Sequence, residues 1–225
     1  MSAEPALIVQ NSPVAPPPVL LAWAASREIE VEVHRADQGD PLPDPRDREF
    51  VAMLGSKYSP AAADVPEVQE AMKFTERSLE CDVPMLGLCY GGQLLSAALG
   101  GRIETSPEPE LGWYEVTSTA SDVVPEGPWL QWHFDCFTLP PGAELLAESP
   151  RCTQAFAHGR NIAVQFHPES TIEIVSSWAR KDRERLAGLG LAHAGERLEQ
   201  GRRFAEGAVE AAFTLFDSFY RRAFA

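Results

Sequence analysis

Cys89 stands at the end of an apolar run, Val83 to Leu88, and is followed at once by Tyr90, Gly91, Gly92 and Gln93. A buried strand that stops at a sharp turn pushes such a side chain outward, while the helix after it points its N-terminus back at the thiol. The positive helix end favours the thiolate, which is the nucleophilic form of cysteine. Gly87 and Gly91 would let neighbouring backbone approach where any Cβ would clash. The plainer alternative is a buried structural cysteine at a strand–helix turn. A second cluster follows another apolar run, Val164-Gln165-Phe166, which delivers His167, Pro168 and Glu169. A cysteine nucleophile needs a base, and the base needs an orienting acceptor. Histidine and glutamate two residues apart share one side of an extended strand end, so Glu169 would fix the tautomer of His167 and stabilise its imidazolium. Alone, His-Pro-Glu is weak evidence, and a satisfied surface histidine describes it better.

These side chains need a scaffold, and the first half of the chain supplies its pattern. Leu7-Ile8-Val9, Glu30 to His34, Phe50 to Leu54 and Val83 to Leu88 read as strands. Between and after them Val19 to Arg27, Val65 to Cys81 and Gln93 to Leu99 read as helices, the last closed by Gly100-Gly101. Strands alternating with helices predict an α/β fold with a mostly parallel open sheet covered on both faces. The second half predicts a smaller antiparallel region, with strand-like pieces at 113–118, 129–134, 144–147, 154–157 and 162–166. Pro107–Pro109 reads as a turn. Beyond Thr171 the pattern is helical, and Phe204, Ala208, Ala212, Leu215, Phe216 and Phe219 form one stripe that would face the core. The expected organisation is one domain over 1–225, with a core at 7–170 and a helical extension at 171–225.

Composition narrows the function classes. The net charge is −14, and hydrophobic residues make up 44% of the 225, as in an ordinary globular chain. Such a field repels phosphate backbones, which argues against nucleic acid. The cluster Arg180, Lys181, Arg183, Arg185 alternates with Asp182 and Glu184 and reads as a solvated helix face. Met1 to Leu7 lacks the pattern of a secretory leader, and no apolar run reaches the ~20 residues of a membrane span. Cys81, Cys89, Cys136 and Cys152 show no C-x-x-C spacing, so they read as reduced thiols, with Cys136 and Cys152 as packing. No metal site and no cofactor motif emerges, and a cytoplasmic location is expected.

The two clusters together resemble the class I glutamine amidotransferases. Leu54-Gly55-Ser56-Lys57-Tyr58-Ser59 looks like that family's oxyanion loop, and Trp132-His133-Phe134-Asp135 is similar to a segment of the GMP synthetase glutaminase domain. The resemblance runs from about Leu7 to Glu169. It implies that Cys89 attacks the γ-carboxamide of glutamine to give a thioester, that His167 moves the proton and that Glu169 orients His167. It further implies an oxyanion site between Tyr90 and Gly55-Ser56, with Gln93, Phe134 and Asp135 around the amino-acid head. Two departures stand out. Ser56 replaces a common second glycine, a conflict if that loop needs positive φ. Phe134 replaces a glycine and would narrow the pocket unless it packs elsewhere. His133 and Asp135 read as structural hydrogen-bonding residues and not as a second dyad.

No Walker A loop, pyrophosphatase loop or Gly-x-Gly-x-x-Gly is present in these residues. The resemblance therefore implies a stand-alone glutaminase subunit that hands ammonia to a partner synthetase chain. The alternative is a γ-glutamyl hydrolase or peptidase using the same three residues. A third reading, a binding module without turnover, keeps the site but not the reactivity.

Overall fold

The computed structural model describes residues 4–225; the first three residues of the stretch read for a leader lie outside them. The elements run β1 (Ala6–Gln10), α1 (Pro18–Ser26), β2 (Val31–Arg35), β3 (Val51–Met53), α2 (Pro66–Glu80), β4 (Met85–Leu88) and α3 (Tyr90–Ala98). There follow β5 (Ile103–Ser118), β6 (Gly127–Phe137), β7 (Glu144–Glu148), β8 (Thr153–His158) and β9 (Asn161–Val164). Helices close the chain: α4 (Ile172–Lys181), α5 (Arg183–Gly188), α6 (Ala194–Gln200) and α7 (Ala205–Ala223).

The nine strands form one sheet in the order β2-β1-β3-β4-β9-β8-β7-β5-β6. The first five pair parallel and the rest antiparallel. Every residue of β1, β3, β4 and β9 is buried, as parallel strands covered on both faces must be, and their near-continuous apolar composition follows from that. On one face lie α1 and α7, where Trp23 meets Phe216 at 5.5 Å and Phe50 meets Phe219 at 5.3 Å between ring centres. On the other lie α2 and α3, α2 burying Val68, Ala71, Phe74, Thr75 and Ser78 along one stripe. Of the C-terminal stripe, Ala212, Leu215, Phe216 and Phe219 are buried. The chain leaves β1 toward β2 on one side and returns to β3 on the other. That reversal opens a crevice at the carboxyl ends of the parallel strands.

Two expectations are corrected. Pro107–Pro109 is no turn: β5 runs through it, with a register shift between Thr105 and Glu110 that absorbs residues unable to donate to the ladder. Cys136 and Cys152 are not separate packing thiols but a disulfide, with Cα atoms 5.8 Å apart. Their meeting depends on how β6 folds back over the sheet, where the Gln131 amide on β6 donates to Gln154 Oε1 on β8 at 2.7 Å, and sequence spacing carries no trace of that. Cys81 and Cys89 are free. No helix among the described residues is long and apolar enough to cross a membrane.

Candidate active site

Cys89 sits between β4 and α3 at φ 51° and ψ −106°, one of four non-glycine residues with positive φ among those described. Its amide donates to the Val164 carbonyl of β9 at 2.9 Å, which locks the turn to the neighbouring strand. The glycines around it are forced by proximity. A Cβ on Gly87 would lie 2.6 Å from the Gly91 carbonyl oxygen, one on Gly92 would lie 2.7 Å from that of Val164, and one on Gly91 would run into the Met53 carbonyl. The helix therefore starts with two poor helix formers because only they let it pack this tightly on β3, β4 and β9.

His167 is positioned by its own amide, which donates to the Leu130 carbonyl of β6 at 2.8 Å, and by Trp178 of α4, edge-on at 5.1 Å. Its Nδ1 meets Glu169 Oε1 at 2.9 Å, and both side chains are buried. Burial works against a charged ring. The negative charges of Cys89 and Glu169 outweigh it, holding the imidazolium well above the ordinary histidine range. Its Nε2 is buried without a conventional hydrogen bond. Gln165 donates toward Cys89 Sγ at 3.8 Å.

Gly55 and Ser56 follow β3 and line the same cavity as Cys89 and His167. A Cβ on Gly55 would come within 3.1 Å of His167 Cε1, so the glycine makes room for the ring. Ser56 is not at positive φ, which removes the conflict its presence posed. The N–H groups of Gly55, Ser56 and Tyr90 enter none of the turn and loop hydrogen bonds among the described residues.

Two cavities meet at Cys89. One, of about 250 Å³, is lined by Tyr90, Gln93, Phe134, Asp135 and Arg185. Gln93 is itself spent, donating to the Asp135 carbonyl at 3.0 Å and to Gln165 Oε1 at 3.3 Å, so it braces this wall. Phe134 packs under the Arg185 guanidinium at 4.6 Å. The other cavity, of about 160 Å³, contains His167 and is walled by Trp132, Trp178, Val14 and Lys181. Asp182 and Lys57 line both. Lys181 and Arg185 are exposed, as a solvated face requires, and with Asp182 they also border these cavities. Sequence reasoning missed them, and their mixed charge was the only signal.

His133 binds the Asp135 carbonyl through Nδ1 at 3.0 Å and lies 3.1 Å from Glu110 Oε2 through Nε2. The dyad it forms is with Glu110, a partner that sequence spacing did not suggest. Glu110 also accepts from Gln154 at 2.6 Å and Ser149 at 3.0 Å.

The model of the family described as glutamine amidotransferase class-I matches residues 20–176, well over half of the chain. The chain belongs to the class I glutamine amidotransferases. Among curated relatives, a GMP synthase of Janthinobacterium sp. is 32% identical over 143 residues, covering 55% of this chain and 26% of that protein. The chain thus spans about a quarter of such relatives. A glutamine amidotransferase-like protein of Salmonella typhimurium is 27% identical over 205 residues, covering 84% of this chain and 82% of that one. Among solved structures, the glutamine amido transferase of Methylobacillus flagellatus superposes with a TM-score of 0.88 at 28% identity, covering 98% and 96% of the two chains. This member of the family therefore has the expected α/β class.

Proposed function

We propose that the chain hydrolyses the γ-carboxamide of glutamine through a Cys89 thioester and that the ammonia passes to a synthetase chain outside these residues. The observation that carries the reading is a cysteine on a strained elbow sharing a cavity with a buried His167–Glu169 pair 2.9 Å apart. In this mechanism Cys89 Sγ attacks the γ-carbonyl carbon, and the oxyanion falls between the N–H of Tyr90 and those of Gly55-Ser56. Each donor of this kind is worth about 3 kcal/mol. His167 gives its proton to the departing nitrogen and the C–N bond breaks. It then takes a proton from water, whose oxygen displaces the thiolate and leaves glutamate. Glu169 holds the ring in register throughout. Phe134, Asp135 and the Gln93-braced wall enclose the amino-acid head. No cofactor enters this scheme.

The relatives named GMP synthase support an ammonia-accepting partner, since this chain aligns with about a quarter of their length. The reading places the reaction in the cytoplasm, where a free Cys89 persists. One observation favours a second reading, hydrolysis of larger γ-glutamyl conjugates: the cavity on the His167 side is far roomier than ammonia requires. Glutamate release by the purified chain tests the shared chemistry. Turnover is expected from wild type, with a loss of at least about 10⁴-fold in Cys89→Ser. An undiminished rate in that variant would remove Cys89 from the mechanism.

A further inference from the structure

The two cavities at Cys89 share Ser56, Lys57, Trp132 and Asp182 and differ in which other side chains they reach. The proton for the departing nitrogen comes from His167, so the leaving group must lie in the cavity that His167 lines. His167 lines the 160 Å³ cavity but not the 250 Å³ one. The acyl half accordingly occupies the cavity of Tyr90, Gln93 and Asp135, and the amine half the other. A water-sized molecule needs only about 10–15 Å³ of such space. The amine side holds roughly ten times that.

Charge separates the two halves as well. The acyl cavity carries two cations, Lys57 and Arg185, against two carboxylates, Asp135 and Asp182, a neutral set that matches a zwitterionic glutamyl head. Lys57 and Asp182 border both cavities, so apart from the Cys89–His167 pair the charge particular to the amine cavity is Lys181. Asp182 already faces Arg185 at 4.0 Å, and Lys181 enters no ion pair among the described residues. The chain has three lysines in all, and two of them border this one cavity. Around those charges the walls are apolar, formed by Trp132, Trp178, Val14 and Ala15.

We propose that this cavity is a leaving-amine subsite for an amino acid, its carboxylate paired with Lys181 and its apolar side chain lodged between Trp132 and Trp178, so that γ-glutamyl amino acids are substrates. The inference rests on the amidohydrolase reading of Cys89 and His167. The step balances as for glutamine. Cys89 Sγ bonds to the γ-carbon, the C–N bond breaks, and the leaving nitrogen takes the His167 proton. Water then releases glutamate and restores the thiolate. In the acyl-transfer step the amide nitrogen is uncharged, so the departing half carries a net negative charge, complementary to Lys181.

The test compares kcat/KM for γ-glutamyl-leucine, for γ-glutamyl-isopentylamide, whose leaving amine has no carboxylate, and for glutamine. Wild type, Lys181→Glu and Lys181→Arg are assayed side by side. Wild type should prefer the leucine conjugate over the isopentylamide by about three- to fivefold, the worth of a charge pair with an exposed lysine. Lys181→Glu should abolish the preference and Lys181→Arg should keep it. The ratio within one variant is insensitive to partial misfolding. Equal rates in wild type, or a preference that survives Lys181→Glu, would overturn the subsite. Turnover of glutamine alone would overturn it while leaving the amidohydrolase reading intact. Turnover of none of the three would bring down both.

Discussion

Cys89 is held at positive φ, where a Cβ costs about 1–3 kcal/mol and glycine costs nothing sterically. Both Cys89→Ala and Cys89→Gly should lose activity, but the two should differ in stability. Cys89→Gly should be the more stable by about 1 kcal/mol, read from urea midpoints, because it alone releases the strain. An equal or lower midpoint would mean that the elbow is not strained. His167 makes a second residue-scale prediction. Burial opposes its charge, and the Cys89 and Glu169 charges override that, so its folded pKa is raised. The stability it contributes is full below the ordinary value near 6.5 and is lost as pH rises through the folded one. Glu169→Gln removes one of the charges that raise it. The alkaline limb of kcat/KM should therefore move to lower pH, with a smaller rate loss than in Cys89→Ala. An unmoved limb would leave Glu169 without influence on the base.

At the scale of elements, the β4–α3 elbow is first a packing solution. Gly91 faces the Met53 carbonyl with no room for a methyl group, whereas Gly207 in α7 has open space around it. Gly91→Ala should cost about 3 kcal/mol, while Gly207→Ala should stabilise by up to about 1 kcal/mol through helix propensity. Equal effects in a denaturation series would contradict the close contact. The elbow and the parallel strands were legible in the sequence because their signals are local. Apolar runs mark fully buried strands, and glycines mark close approach. The placement of α4 and α5 was not legible. Lys181, Asp182 and Arg185 border the cavities at Cys89 because Ile172, Val175, Leu186 and Leu198 dock on Leu130 and Leu111 of the antiparallel strands. Nothing local to Arg180–Arg185 records that docking. The β5 strand was hidden for the opposite reason, since its prolines imitate a turn that a bulge makes unnecessary.

At the scale of the whole molecule, the antiparallel half is joined around a buried polar cluster. Burial pushes the Glu110 carboxyl upward, but contact with His133, together with Ser149 and Gln154, more than offsets it and holds it below the ordinary value. Its contribution to stability is accordingly present above the unfolded value near 4.5 and is lost as pH falls through the folded one. Glu110→Ala leaves His133 and Gln154 without their acceptor and should cost about 3–5 kcal/mol. A loss under about 1 kcal/mol would show that water replaces the carboxylate. Because His133 braces the Asp135 carbonyl, this cluster also ties the antiparallel half to the acyl cavity. The central claim is covalent catalysis at Cys89, and acid-quenched turnover of glutamine followed by peptide mass mapping tests it most directly. A γ-glutamyl adduct on the Cys89 peptide, absent in Cys89→Ser, is the predicted result. Steady glutamate release with no adduct on Cys89, or with one on another residue, would contradict it.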